Sequence, residues 1–167
     1  MSTKDDINQI YIDTSLLHEW FARLMRGEKQ YYEPKIIAFL RKHSEINKFI
    51  SIFTIAELVE SLLFREKGIH DHMKKLETIN SFVQVFVETT GIKIIEFEKK
   101  DVHRGIFISP NIVKYTAECG EVKDAIHVCI AEHEDLALVT HDDKFGRIKP
   151  LYEKIVTDKH LMKLFKE

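Results

Sequence analysis

Short apolar runs of three or four residues alternate with longer stretches of helical period along this 167-residue chain, and that alternation constrains its fold more than any other feature. The runs are Ile10-Tyr11-Ile12, Phe49-Ile50-Ser51-Ile52, Ile92-Lys93-Ile94-Ile95, Leu136-Ala137-Leu138-Val139 and a last one around Lys154-Ile155-Val156. Runs this short and this apolar read as strands buried on both faces. Between them, Leu16, Leu17, Trp20, Phe21, Leu24 and Met25 recur at helical spacing as far as Gly27, with Thr14 or Ser15 placed to cap the helix. Pro34 suits the first position of a second helix that reaches about residue 43. Thr54-x-x-Glu57 fits a capping box for a helix carrying Ile55, Leu58, Val59, Leu62 and Leu63. A long helix over about 71–87, closed by Gly91, carries Phe82, Val83, Phe86 and Val87 as core. One or two helices fill 99–118 with an interruption near Ser109-Pro110, and an almost wholly apolar helix follows Gly120 over about 121–133.

Strands separated by helices pair in parallel, with the helices on both faces. The expected fold is therefore α/β: a three-layer α/β/α arrangement around a central, mostly parallel sheet of four or five strands. The length suits one domain spanning 1–167. Ligands of such sheets bind outside the carboxyl ends of the strands, so the residues that follow each apolar run carry the functional information.

Those residues are acidic. Asp13 follows the first run directly, Glu57 lies in the first turn of the helix after the second, Asp124 in the first turn of the apolar helix, and Asp142 just beyond the fourth run. A carboxylate beside apolar chain is costly unless something pairs with it. If the four converge, two of them about 4 Å apart repel by roughly 4 kcal/mol at an effective dielectric near 20. A divalent cation removes that penalty, and hard oxygen ligands favour Mg²⁺ or Mn²⁺ over zinc. Each acid taken alone also has a local explanation: a capping box for Glu57, the helix dipole for Asp124, a cap or turn for Asp142 or Asp143.

Other features narrow the function. A formal net charge of -2 excludes a strongly basic nucleic-acid binder, so phosphate contacts must come from local clusters such as Lys144, Arg147 and Lys149, Arg41-Lys42-His43, or Lys99-Lys100. Cys119 and Cys129 have no CxxC partner, and no apolar run approaches the roughly 20 residues that span a bilayer. The reading is a cytoplasmic protein with no membrane segment. His70-Asp71-His72 looks metal-like, but residues two apart on a helix do not share a face, and a solvated surface is the better reading. His127, one turn after Asp124, is placed where it could touch the site, but a satisfied, half-buried histidine is the better reading.

The pieces Ile10-Tyr11-Ile12-Asp13-Thr14-Ser15, Thr54-Ile55-Ala56-Glu57-Leu58, Lys123-Asp124-Ala125-Ile126-His127-Val128 and Thr140-His141-Asp142-Asp143-Lys144-Phe145 occur in an order that resembles the PIN-domain nuclease family, over residues 8–158. The resemblance implies a metal-dependent endoribonuclease, either a VapC-like toxin held by an antitoxin protein or an RNA-processing enzyme. Asp13, Glu57, Asp124 and Asp142 would be its catalytic, metal-holding residues. Thr14, Ser15, Thr140, Asp143 and Glu121 would support them. It implies Mg²⁺ or Mn²⁺ as cofactor, single-stranded or looped RNA as substrate, and leaves room for a homodimer. Thr140-x-Asp142-x-x-Phe145 makes Asp142, not Asp143, the match for the fourth acid. The long segment between Asp13 and Glu57 and the extended C-terminal tail depart from the pattern. Two rivals remain: a haloacid-dehalogenase-type phosphotransferase with Asp13 as nucleophile, which wants a second Asp where Ser15 stands, and a non-catalytic RNA-binding module.

Overall fold

Gln9–Ile12 (β1), Asn47–Ser51 (β2), Lys93–Ile95 (β3), Ala137–Thr140 (β4) and Ile155–Thr157 (β5) form one sheet in the computed structural model, which describes residues 7–27, 33–65, 71–96 and 110–165. The order is β3-β2-β1-β4-β5 and every pairing is parallel. The chain lays down β2 and β3 on one side of β1, then crosses to place β4 and β5 on the other. The direction of winding reverses between β1 and β4, and a crevice forms at such a reversal.

Alternation along each strand sends side chains to two cores. Ile10, Ile12, Ile50, Ala137, Val139 and Val156 face one way, towards Ser15–Met25 (α1), Lys35–Lys42 (α2), Ile52–Arg65 (α3), His72–Thr90 (α4) and Asp158–Leu164 (α7). Tyr11, Leu138 and Ile155 face the other, towards Pro110–Cys119 (α5) and Val122–His133 (α6). The centre of the sheet is thus covered on both faces, which is why β1 and β4 lack the polar alternation of a half-exposed sheet. Phe82, Val83, Phe86 and Val87 pack into the first core, where Phe86 meets both Trp20 and Phe21 edge to face.

Several local expectations shift. β2 ends at Ser51 and α3 begins at Ile52, so Thr54 lies inside the helix and does not cap it. The capping box forms three residues earlier: Thr54 N donates to Ser51 Oγ (3.1 Å) and Ser51 N to Thr54 Oγ1 (3.3 Å). Glu57 is thereby released from capping. Neither Thr14 nor Ser15 caps α1 with its hydroxyl, because both hydroxyls are used by carboxylates. Pro34 occupies the position before the first helical residue of α2. α4 is capped by Asp71, whose Oδ1 accepts from Met73 N and Lys74 N, and is closed by Gly91 at φ 66°, a left-handed conformation that costs glycine little. Asp71 therefore serves the helix; His70 lies outside the described residues, as do Lys99, Lys100 and Ser109. The C-terminal tail includes a helix: α7 buries Leu161, while Phe165 stacks edge-on against Phe39 of α2. Among the described residues no helix is long and apolar enough to cross a membrane.

Candidate active site

The last residue of β1 is Ile12, and Asp13 N still donates to Val139 O of β4 (3.0 Å). That bond fixes the Asp13 backbone at the β1–β4 reversal. Its carboxylate is almost fully buried, and Oδ2 accepts from Ser15 Oγ (2.6 Å) and Thr140 Oγ1 (2.8 Å). The Thr140 hydroxyl also accepts from Asp142 N (3.1 Å), so one side chain at the end of β4 ties Asp13 to Asp142. Asp142 spends one oxygen, Oδ1, on Lys144 N, capping the 3-10 turn Asp143–Arg147. Its expected role as a cap is real and occupies only half of the carboxylate.

Glu57 reaches the same place from α3. Its Oε2 accepts from Thr14 Oγ1 (2.7 Å) and faces Nε2 of His127 at 2.8 Å. Burial alone would raise the Glu57 pKa, but the bonds from His127 and Thr14 hold it below the ordinary glutamate range. Asp124 arrives on the first turn of α6. Burial pushes its carboxyl above the ordinary aspartate range, although the Lys144 ammonium 2.5 Å from Oδ2 works the other way.

Asp13, Glu57, Asp124 and Asp142 all line one cleft of about 540 Å³, together with Thr14, Ser15, Glu121, Lys123 and Lys144. Four carboxylates borne by separate stretches of chain thus face a single space. Seven acids and two lysines line that space, so it is acidic on balance. Part of this charge is met locally. Glu19 pairs with Arg23 at 2.7 Å, and Lys123 pairs with Glu60. Lys144 meets Asp124, Asp142 at 3.3 Å and Glu121 at 3.5 Å. Glu121 is exposed at the edge of the cleft, where it meets Lys144. Asp143 faces elsewhere, into a smaller neighbouring cleft that also holds Lys149 and His160. Arg41 is committed to Glu33 at 2.7 Å and lies over Trp20, away from the acids.

Among the described residues no three His, Cys, Asp or Glu side chains stand in a metal-holding arrangement. The ammonium of Lys144 lies where such a grouping of Asp124 and Asp142 would close. The donor chemistry nonetheless fits a hard divalent ion: four carboxylates, with hydroxyls steadying two of them, and no thiolate on the cleft. A phosphotransferase centred on Asp13 lacks its second acid, because Ser15 stands there and donates to Asp13.

Sequence reasoning gave two participants too small a part. His127 is fully buried, not half-buried, and its contact with Glu57 puts it against the site. Its position three residues after Asp124, on the same helical face, was the available signal. Lys144 was legible as a basic residue beside the acids and a candidate phosphate contact, but not as the partner of Asp124 and Asp142.

A parallel α/β protein whose winding reverses beside an acid-lined cleft defines the class. Compared with known families, residues 10–150 match the PIN domain. The chain belongs to the PIN-domain family, whose members are generally metal-dependent nucleases. No curated protein matches it.

Proposed function

We propose that this protein is an endoribonuclease that hydrolyses RNA phosphodiester bonds in the cytoplasm with Mg²⁺ or Mn²⁺ held by Asp13, Glu57, Asp124 and Asp142. The observation that carries this reading is the meeting of those four carboxylates in one cleft at the β1–β4 reversal. When bound, a divalent ion there supplies Lewis acidity, lowering the pKa of water and offsetting charge on the phosphate.

The chain's own residues do the remainder. Ser15 and Thr140 fix one oxygen of Asp13, and Thr14 fixes one of Glu57, so each carboxylate is oriented before an ion arrives. An open, acidic cleft takes a flexible backbone more readily than a duplex, which favours single-stranded or looped RNA. Lys144, released from Asp124 and Asp142 when another cation serves them, can meet a phosphate. Such chemistry serves a toxin restrained by an antitoxin protein as well as an RNA-processing enzyme.

The test is cleavage of single-stranded RNA by the purified chain. Activity should require Mn²⁺ or Mg²⁺, stop on adding EDTA, and vanish in Asp13→Asn and Asp124→Asn. Cleavage that survives EDTA, or either substitution, overturns the assignment.

A further inference from the structure

Glu57 is held by a group drawn from the opposite core. His127 sits on α6, yet its imidazole reaches under the cleft to a carboxylate on α3. Beneath it, Nδ1 lies 2.8 Å from the hydroxyl of Tyr11 on β1. That hydroxyl in turn meets Ser51 Oγ (2.7 Å) and Thr54 Oγ1 (2.9 Å), the two residues of the capping box that starts α3. Phe53 closes the imidazole edge to face, with ring centroids 5.1 Å apart.

The hydrogen between His127 and Glu57 can be placed from the chemistry of the carboxylate. An ionised Glu57 can only accept, so Nε2 of His127 carries a hydrogen. Asp13 Oδ1, at 3.7 Å from the same nitrogen, is too far to compete. On the other side of the ring, Nδ1 and the Tyr11 hydroxyl share one hydrogen bond, which holds the imidazole with Nε2 turned to Glu57. The Ser51 and Thr54 hydroxyls already accept from each other's backbone N–H groups, and each has its own proton left for the Tyr11 oxygen. Every donor and acceptor of the buried set is then matched. The chain of bonds starts at the end of β2, passes through β1 and α6, and returns to α3 at Glu57.

We propose that His127 is a positioning residue: Tyr11 holds its ring in place, and the hydrogen on Nε2 pins one oxygen of Glu57 so that the other serves the cation of the cleft. The proposal rests on the metal-site reading above. It accounts for a fully buried histidine joining two helices that each deliver one acid, Glu57 from α3 and Asp124 from α6. Among the described residues no group but Thr14 and His127 bonds to the Glu57 carboxylate, and both use Oε2. Losing an outer partner of this kind weakens metal binding by about 10- to 100-fold.

Calorimetric titration of the full chain with Mn²⁺ tests this, with a thermal melt of each variant alongside. His127→Leu should raise the Mn²⁺ Kd by about 10- to 100-fold. His127→Gln, whose side-chain amide can donate from the place of Nε2, should restore most of the affinity. Tyr11→Phe keeps the ring packing and removes the hydroxyl that holds the imidazole, and should give a smaller rise. A folded His127→Leu that binds Mn²⁺ like wild type, or a His127→Gln no tighter than His127→Leu, overturns the proposal. If His127→Leu does not fold, an unchanged Kd in Tyr11→Phe overturns it. A wild type that takes up no Mn²⁺ brings down the metal-site reading itself, whereas a wild type that binds with all variants alike removes only the positioning role.

Discussion

The ammonium of Lys144 stands 2.5 Å from Oδ2 of Asp124 and 3.3 Å from Oδ2 of Asp142, so two acids of the cleft share one internal cation. Its own pKa shows the balance: burial would lower it, but hydrogen bonds and attraction from Asp124 and Asp142 raise it above the ordinary lysine value. A divalent ion serving the same carboxylates must displace this ammonium, so the two cations compete.

Lys144→Met should therefore have opposite effects without and with metal. In EDTA it leaves a largely buried Asp124 without its partner and destabilises the chain by about 1–3 kcal/mol. With its competitor gone, Mn²⁺ should bind more tightly and raise Tm by more than in wild type. Thermal melts with EDTA and with millimolar Mn²⁺ measure both effects. A variant whose Mn²⁺ shift is no larger than that of wild type rules out competition.

Asp124 and Glu57 pull stability in opposite directions with pH. Burial raises the Asp124 pKa in the folded chain despite Lys144, so its contribution favours folding below the ordinary aspartate value and is lost as pH rises through the folded one. Burial also acts against Glu57, but His127 and Thr14 outweigh it and the folded pKa is lowered. Its contribution is present above the ordinary glutamate value and is lost as pH falls through the folded one. In EDTA at neutral pH, Asp124→Asn should raise Tm, and the gain should shrink on acidification as the wild-type carboxyl protonates. Glu57→Gln should lower Tm at neutral pH, with the difference closing below the usual glutamate range. Melting curves from pH 3 to 8 decide it, and shifts of the same sign in both variants contradict this account of the cleft.

Thr140→Val tests the tie between Asp13 and Asp142. The two side chains have nearly the same shape, but the loss of the hydroxyl removes a donor from Asp13 Oδ2 and an acceptor from Asp142 N. Leaving buried polar groups unmatched costs about 1–3 kcal/mol. The Mn²⁺ Kd should also rise by about 10-fold or more, since two acids lose their orientation together. Urea denaturation and Mn²⁺ titration give the two values independently. Loss of stability with unchanged affinity would make Thr140 a packing residue only.

The sheet was legible in the sequence because its central strands β1 and β4 are buried on both faces and read as apolar runs, while the run of the more exposed edge strand β3 still carries three isoleucines around Lys93. Its ends were legible too, since a lone acid after such a run has few reasons to be there, and Asp13 is the clearest case. The start of α3 was not. Ser51-x-x-Thr54 and Thr54-x-x-Glu57 overlap as capping patterns, and only the pairing of Ser51 with Ile95 in the sheet extends β2 far enough to select the first. His127 was misread because its partner Tyr11 lies 116 residues away, and helical spacing says which face a residue occupies but not what waits opposite. Lys144 was undecidable for a related reason: a long side chain next to an acid can turn towards it or into solvent. The α7 helix escaped because its burial depends on α2, whose Phe39 meets Phe165 across the molecule.

The family match ends at residue 150, but the sheet does not, and this separates two truncations. β5 pairs with β4 from Leu138 to Thr140, the strand whose last residue steadies Asp13 and Asp142. Without β5 and α7, the edge of β4 loses its hydrogen-bond partners, and the core loses the buried side chains of Ile155, Val156 and Leu161. A chain stopped after Pro150 should therefore show no cooperative urea transition, even though it retains all four acids. Leu161→Ala removes only a fully buried side chain from the α7 contact and should cost about 2–5 kcal/mol while leaving Mn²⁺ affinity unchanged. If the 150-residue chain unfolded cooperatively near the wild-type midpoint, the acids would be organised by the first four strands alone, and α7 would be an appendage to the fold.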